Sequence, residues 1–284
     1  MRSKICLWAI VLSLLPILSY AQNQTNSPVQ ELYVKSGMDK QLDQLPSTIQ
    51  SVFEESVQED PNAQKLPKDV LAAMKAAIPQ SFAPERLKGT MVAELSQKLT
   101  AQDIKEVLQW LDSPIGKKAT KLEEAASTPQ AQVDMQQYAA SLQTSPPTSE
   151  RLKALRQFDL AVKATECAVD VAINAQVAVA MAMISTFPAE QRIPPDEISR
   201  RIEKNRSAIE AEVRSQVLVS ALYTYRSLTD AEIQRYTEFA KSPAGVKYHS
   251  ATMGALKKAI IEGAVRWGEL VGKTIKESKG HSEA

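Results

Sequence analysis

Laid against itself at a shift of 129 residues, the chain repeats: Leu99-Thr100-Ala101-Gln102-Asp103-Ile104 falls on Leu228-Thr229-Asp230-Ala231-Glu232-Ile233. The same shift carries Trp110 onto Phe239, Ser113-Pro114 onto Ser242-Pro243, Gly116 onto Gly245 and Lys118 onto Lys247. Seven of the twenty positions from 99 to 118 are identical, where about one is expected by chance at uniform residue usage. A duplication confines the fold to architectures that one unit can build twice.

The unit reads as a helix, a corner and a helix. Thr100 with Asp103, and Thr229 with Glu232, have capping-box spacing, in which hydroxyl and carboxylate satisfy the open amides of a helix start. Ile104, Val107, Leu108 and Leu111 then follow at i, i+3, i+4 and i+7, and Ile233, Tyr236 and Ala240 repeat the stripe more weakly. Each helix meets Ser-Pro: proline disfavours helical geometry in the residue before it but suits the first turn of a new helix, which the serine caps. Gly116 and Gly245 fall in that first turn, where a missing side chain lets the preceding helix come close.

Upstream of each corner the apolar spacing is also helical. Leu87, Met91 and Leu95 follow Pro84, and Ile198, Ile202, Ile209, Val213 and Val217 follow Pro194-Pro195. Residues 29–58, broken near Ser36-Gly37, and residues 150–186 read as the opening helices of the two units. Between them, residues 127–149 are bracketed by Pro129 and Pro146-Pro147 and read as a linker with room for one short helix. The expected organisation is a first helical unit over 22–126, a linker over 127–149, a second unit over 150–278 and a polar tail over 279–284. No useful strand alternation interrupts this pattern, so the expected class is all-α. The run from Val171 to Ile184 is the most apolar after the N-terminus, but Asn174 and Gln176 break it, and it reads as a buried core helix.

Arg2 and Lys4 precede an apolar run from Ile5 to Leu18 that closes on Ser19-Tyr20-Ala21, the pattern of a secretory signal peptide over residues 1–21. Export to the periplasm or beyond is expected, with Gln22 as the new N-terminus and no integral membrane segment after cleavage. No cysteine stands at the cleavage point to take a lipid. Removing Arg2 and Lys4 lowers the basic residues from 34 to 32 against 33 acids, a net charge of −1. Such a balance gives no reason to expect nucleic acid as a partner. Cys167 is then the one cysteine left, so no intramolecular disulfide is available and stability has to come from burial.

Leu-Thr leading into an apolar helix, an aromatic, then Ser-Pro-x-Gly-x-Lys resembles the bacterial domain-of-unknown-function family numbered twenty fifty-nine. Glu31-Leu32-Tyr33-Val34-Lys35-Ser36-Gly37-Met38, running on to Leu42 and Leu45, is similar to that family's opening. The resemblance covers most of residues 29–126, with a diverged second copy matching over about 228–250. It implies a small exported helical protein. It brings no activity, cofactor or catalytic residue.

The residues themselves name no catalytic set. Of two histidines, His281 lies in the tail, and His249, whose counterpart in the first copy is Thr120, reads as a surface or cap-side residue. Cys167 sits in an apolar helical pattern and reads as a small core residue, although a thiol paired with His249 is conceivable chemistry. Glu54-Glu55 and Glu123-Glu124 read as solvated helix faces, not metal ligands. Neither a phosphate loop nor a dinucleotide fingerprint is present, and no cofactor is expected. The sequons at Asn23 and Asn205 match only a three-residue pattern. The last helix places Leu256, Ile260, Ala264, Trp267, Val271 and Ile275 on one stripe, read as closing the second unit's core.

The leading expectation is a non-enzymatic envelope protein that binds another envelope protein or an apolar small molecule held between helices. The alternatives are a periplasmic hydrolase using carboxylates that the sequence does not single out, and a peripheral membrane protein attached through the last helix, which an exposed stripe would favour.

Overall fold

The computed structural model describes residues 27–59, 63–65, 67–185, 190 and 192–282. The signal-peptide expectation lies outside these residues, as does any statement about the side chains of Ile275 and His281. Among the described residues the chain is all-α, with thirteen α-helices and no strand. They are α1 (Pro28–Lys35), α2 (Met38–Glu59), α3 (Lys68–Ser81), α4 (Pro84–Lys98), α5 (Ala101–Leu111), α6 (Pro114–Ala126), α7 (Pro129–Ser141), α8 (Ser149–Val162), α9 (Ala164–Ser185), α10 (Pro195–Glu203), α11 (Arg206–Thr224), α12 (Asp230–Lys241) and α13 (Pro243–Ser282).

The caps decide where the helices start. Thr100 and Thr229 each accept from the amide three residues on, and Asp103 and Glu232 accept in return from the threonine amides at 3.0 and 2.7 Å. Ser113 Oγ accepts from the Gly116 amide at 3.0 Å and Ser242 Oγ from the Gly245 amide at 3.1 Å, with Pro114 and Pro243 opening α6 and α13. At both corners a Cβ on the glycine would run into the carbonyl oxygen of the aromatic residue before the turn, Trp110 or Phe239. The close approach is therefore backbone on backbone, which no side-chain rotation relieves.

Two long helical stretches are divided in ways the periodicity does not announce. Residues 150–186 break at Lys163, which adopts a left-handed conformation (φ 59°), and Asp159 caps the restarted helix by accepting from the Thr165 amide and hydroxyl, both at 2.8 Å. The run after Pro194-Pro195 breaks at Lys204-Asn205 into α10 and α11. Residues 127–149 carry α7, whose Tyr138 ring meets Tyr223 of α11 edge-on at 5.7 Å.

Among the described residues the buried apolar side chains gather into two cores. One is built from α1 to α5 together with α13: Leu32, Ile78, Met91, Leu95 and Val107 are buried with Ala251, Ala255, Ala259 and Trp267. The other joins Ala119 of α6 to Leu155 and Phe158 of α8, Leu222 of α11, and Ile233 and Tyr236 of α12. Small residues at 251, 255 and 259 keep one face of α13 narrow, so that α4 and α9 can pack against it. The stripe on α13 thus closes the core of the first half of the chain, not that of the second, and Trp267 donates its indole N–H to the Met74 carbonyl at 2.7 Å. Among the described residues no helix is long and apolar enough to cross a membrane.

Candidate functional site

The two corners meet. Trp110 and Phe239, which fall on one another at the 129-residue shift, stack at 4.6 Å with their planes within 7°. On either side the lysine of each corner reaches the other corner's capping box. Lys118 donates to Glu232 at 2.9 and 3.0 Å, and Lys247 donates to Asp103 at 2.8 and 3.0 Å. This reciprocal pattern, in which residue i meets j and j's equivalent meets i's, is that of an isologous two-fold contact. Thr100, Asp103, Ser113, Pro114, Gly116, Thr229, Glu232, Ser242, Pro243 and Gly245 all belong to it, as caps, turns or charge partners. None of them lines the cavity beside it.

The recess lies beside that contact. It is a cavity of ≈ 540 Å³ walled by α6, α8, α9, α11, α12, α13 and the junction of α1 with α2, within the range of about 300–1,000 Å³ typical of small-ligand sites. Most of its wall is apolar: Leu155, Phe158, Val162, Val171, Leu256 and Ile260 contribute. Among the described residues its lining holds Glu123, Asp159 and His249 but neither lysine nor arginine.

Glu123 accepts from the phenols of Tyr225 at 2.7 Å and Tyr236 at 3.2 Å. Burial pushes its carboxyl above the usual range although both phenols act in the other direction. Burial and the neighbouring Glu123 charge raise both tyrosines well above 10, so they remain donors. The reading of Glu123-Glu124 as a solvated face is corrected here: Glu123 turns inward, while Glu124 pairs with Lys40 at 2.8 Å. Asp159 is committed to its cap on α9.

His249 is also corrected. It is 5% exposed, not a surface residue, and packs among Tyr248, Tyr236 and Phe239 with ring centroids 5.1 to 6.1 Å away. Burial lowers its pKa to about 4, so the imidazole is neutral at pH 7. Its Nε2 is buried and has no hydrogen-bond partner. One turn on, Thr252 Oγ1 is in the same condition; it lies beside the Tyr248 phenol without a bond of good geometry. Cys167 lines the same cavity but is half-buried, donates weakly to the Met253 carbonyl at 3.4 Å, and has its thiol pKa raised by burial. That is the wrong direction for a thiolate nucleophile. Among the described residues no group of three His, Cys, Asp or Glu is placed to hold a metal ion.

Sequence periodicity missed Glu123, Tyr225, Tyr236, Tyr248 and Thr252 as wall residues. One signal was present: four of the chain's seven tyrosines fall between 223 and 248.

Residues 85–145, which run from α4 through the first corner to the end of α7, match the model of the family DUF2059, described as an uncharacterized protein conserved in bacteria. This part of the chain is a DUF2059-like domain. No curated protein and no solved structure matches the chain.

Proposed function

We propose that this chain is an exported, non-enzymatic binding protein of the cell envelope that holds an apolar small molecule between its helices. The observation that carries this reading is the ≈ 540 Å³ apolar cavity with a few convergent polar groups at one wall. Export rests on the signal-like pattern over residues 1–21. The hydrolase alternative is weakened because both carboxylates in the cavity are engaged, Glu123 by two phenols and Asp159 by Thr165. Attachment to a membrane through the last helix loses its motive, since Ala264, Trp267 and Val271 are buried against the rest of the fold.

The test uses protein recovered after export. Its intact mass should correspond to a chain starting at Gln22, and N-phenylnaphthylamine should gain fluorescence on binding it. Ala168→Phe, which fills the cavity from α9, should weaken that binding at least tenfold while helical circular dichroism is kept. Unchanged probe binding in a folded Ala168→Phe variant would show that the cavity is not the binding site.

A further inference from the structure

We infer that the cavity takes a cationic amphiphile, a primary ammonium on an apolar body, whose N–H groups donate to Glu123 Oε2 while the body lies along α8, α9 and α13. This rests on the reading of the cavity as a binding site and adds the charge of its ligand.

Glu123 is a carboxyl enclosed by the fold without a counter-charge. Its Oε1 accepts from the Tyr225 and Tyr236 phenols at 2.7 and 3.2 Å, and two donors converging on one oxygen favour the carboxylate. Burial opposes that charge, and the neighbouring Glu124 adds to the opposition. Among the described residues no lysine or arginine pairs with Glu123 or lines the cavity, and His249 is neutral at pH 7. Carboxylates inside proteins are ordinarily paired with a cation, because an isolated charge is poorly tolerated away from water. A cationic ligand supplies the missing partner.

Oε2 is open to that contact. Among the described residues it accepts none of the hydrogen bonds to Glu123, all of which end on Oε1. Nor is it one of the sealed side-chain atoms that lack a partner, which are Asp39 Oδ1, His249 Nε2 and Thr252 Oγ1. It therefore keeps accessible surface, on a half-buried residue that lines the cavity. The same wall is aromatic: Phe158 lies 5.4 Å from Tyr225 and 4.6 Å from Tyr236, ring centre to ring centre. Aromatic faces attract a cation through their quadrupole. An anionic head would instead meet Glu123 and Asp159 with no base to compensate it, and a neutral head would leave the carboxyl without a counter-charge.

The experiment compares three eight-carbon amphiphiles at neutral pH, each below its micelle concentration, as competitors for N-phenylnaphthylamine bound to the purified chain. Octylamine is a cation under these conditions, 1-octanol is uncharged and octanoate is an anion. Octylamine should compete at a concentration at least about tenfold lower than either of the others, as expected for one charge-assisted hydrogen bond. In Glu123→Gln, whose amide oxygen can still accept from both phenols, the ratio of octanol to octylamine concentrations should fall close to one. That ratio is taken within one protein, so a change in the affinity of the variant for the probe cancels from it. Glu238→Gln, which removes the same charge from an exposed position of α12 outside the cavity, should keep the wild-type ratio. Octanol or octanoate competing as well as octylamine against the wild type would overturn the inference whether or not the Glu123 variant folds. A preference for octylamine that survives in folded Glu123→Gln, or that Glu238→Gln abolishes equally, would also overturn it, while probe uptake upheld the cavity as a binding site. A chain that takes up no probe at all would remove the underlying functional reading, and the ligand assignment with it.

Discussion

His249 stays neutral at pH values where a solvated imidazole is half protonated, and that difference links the fold to pH. Its pKa falls from 6.5 to about 4 through burial, so between those values the unfolded chain binds the proton and the folded chain does not. Stability from this residue is therefore complete above pH 6.5 and is lost as pH falls towards 4, by about 3 kcal/mol in all. Glu123 acts in the opposite sense: its folded pKa is raised above 4.5, so its contribution is present below 4.5 and lost as pH rises through the folded value. Four further groups of this wall, the Tyr225, Tyr236 and Tyr248 phenols and the Cys167 thiol, are shifted upward and titrate well above this window. Urea midpoints measured between pH 7 and pH 4.5 should fall for the wild type, and the fall should be shallower in His249→Leu. Parallel pH profiles for the two proteins would mean that His249 is not buried as described. None of this was legible in the sequence, because a helical pattern gives a residue's face but not what covers it. Thr120, which falls on His249 at the 129-residue shift, is likewise buried, at 9% exposure, so the position faces inward in both stretches.

At the scale of the element, the corners were the most legible part of the chain. Cap, proline and glycine act within a turn of one another, so the local sequence is enough to specify them. The breaks at Lys163 and at Lys204-Asn205 were not legible: lysine carries no signal for a left-handed backbone, and the Asp159 cap reaches Thr165 across six residues. What the structure adds at the corners is the nature of the contact. The Cβ of Gly116→Ala would meet the Trp110 carbonyl oxygen and lie 2.9 Å from Leu111 Cα, and that of Gly245→Ala would meet the Phe239 carbonyl oxygen. Backbone atoms tied into α5 and α12 yield only if the corner opens, so overpacking should outweigh alanine's gain in helix propensity of about 1 kcal/mol. Each substitution should destabilise by about 1–3 kcal/mol or somewhat more, and the two should behave alike in urea unfolding followed by circular dichroism. A stabilised Gly116→Ala would mean that propensity governs the corner and steric contact does not. Opening either corner also strains the other, because Lys118 and Lys247 cross between them.

For the whole molecule the decisive feature is that the two halves do not each enclose a core of their own. The 129-residue shift lays one stretch of the sequence over another, but how such stretches pack depends on contacts far apart in sequence that no local pattern encodes. In the structure α13 leaves the second corner and runs along α3, α4 and α5. There Ala251, Ala255, Ala259 and Trp267 complete the core around Leu32, Met91 and Leu95, and the Trp267 N–H bonds to Met74. A fragment of residues 22–145 would therefore expose the face that α13 covers, and a fragment of residues 146–284 would expose α13's own apolar stripe. Neither should unfold cooperatively alone, and both should bind an apolar dye. Mixed, they should recover the helical signal and a single unfolding transition, held together by the Trp110–Phe239 stack, the two crossed lysine–carboxylate pairs and the docked α13. In the intact chain Trp267→Ala, which removes both packing and a buried hydrogen bond, should cost about 3–5 kcal/mol. A fragment of residues 22–145 that folds alone with the intact chain's stability, together with a mild Trp267→Ala, would mean that the first half closes its own core and that α13 only rests on it.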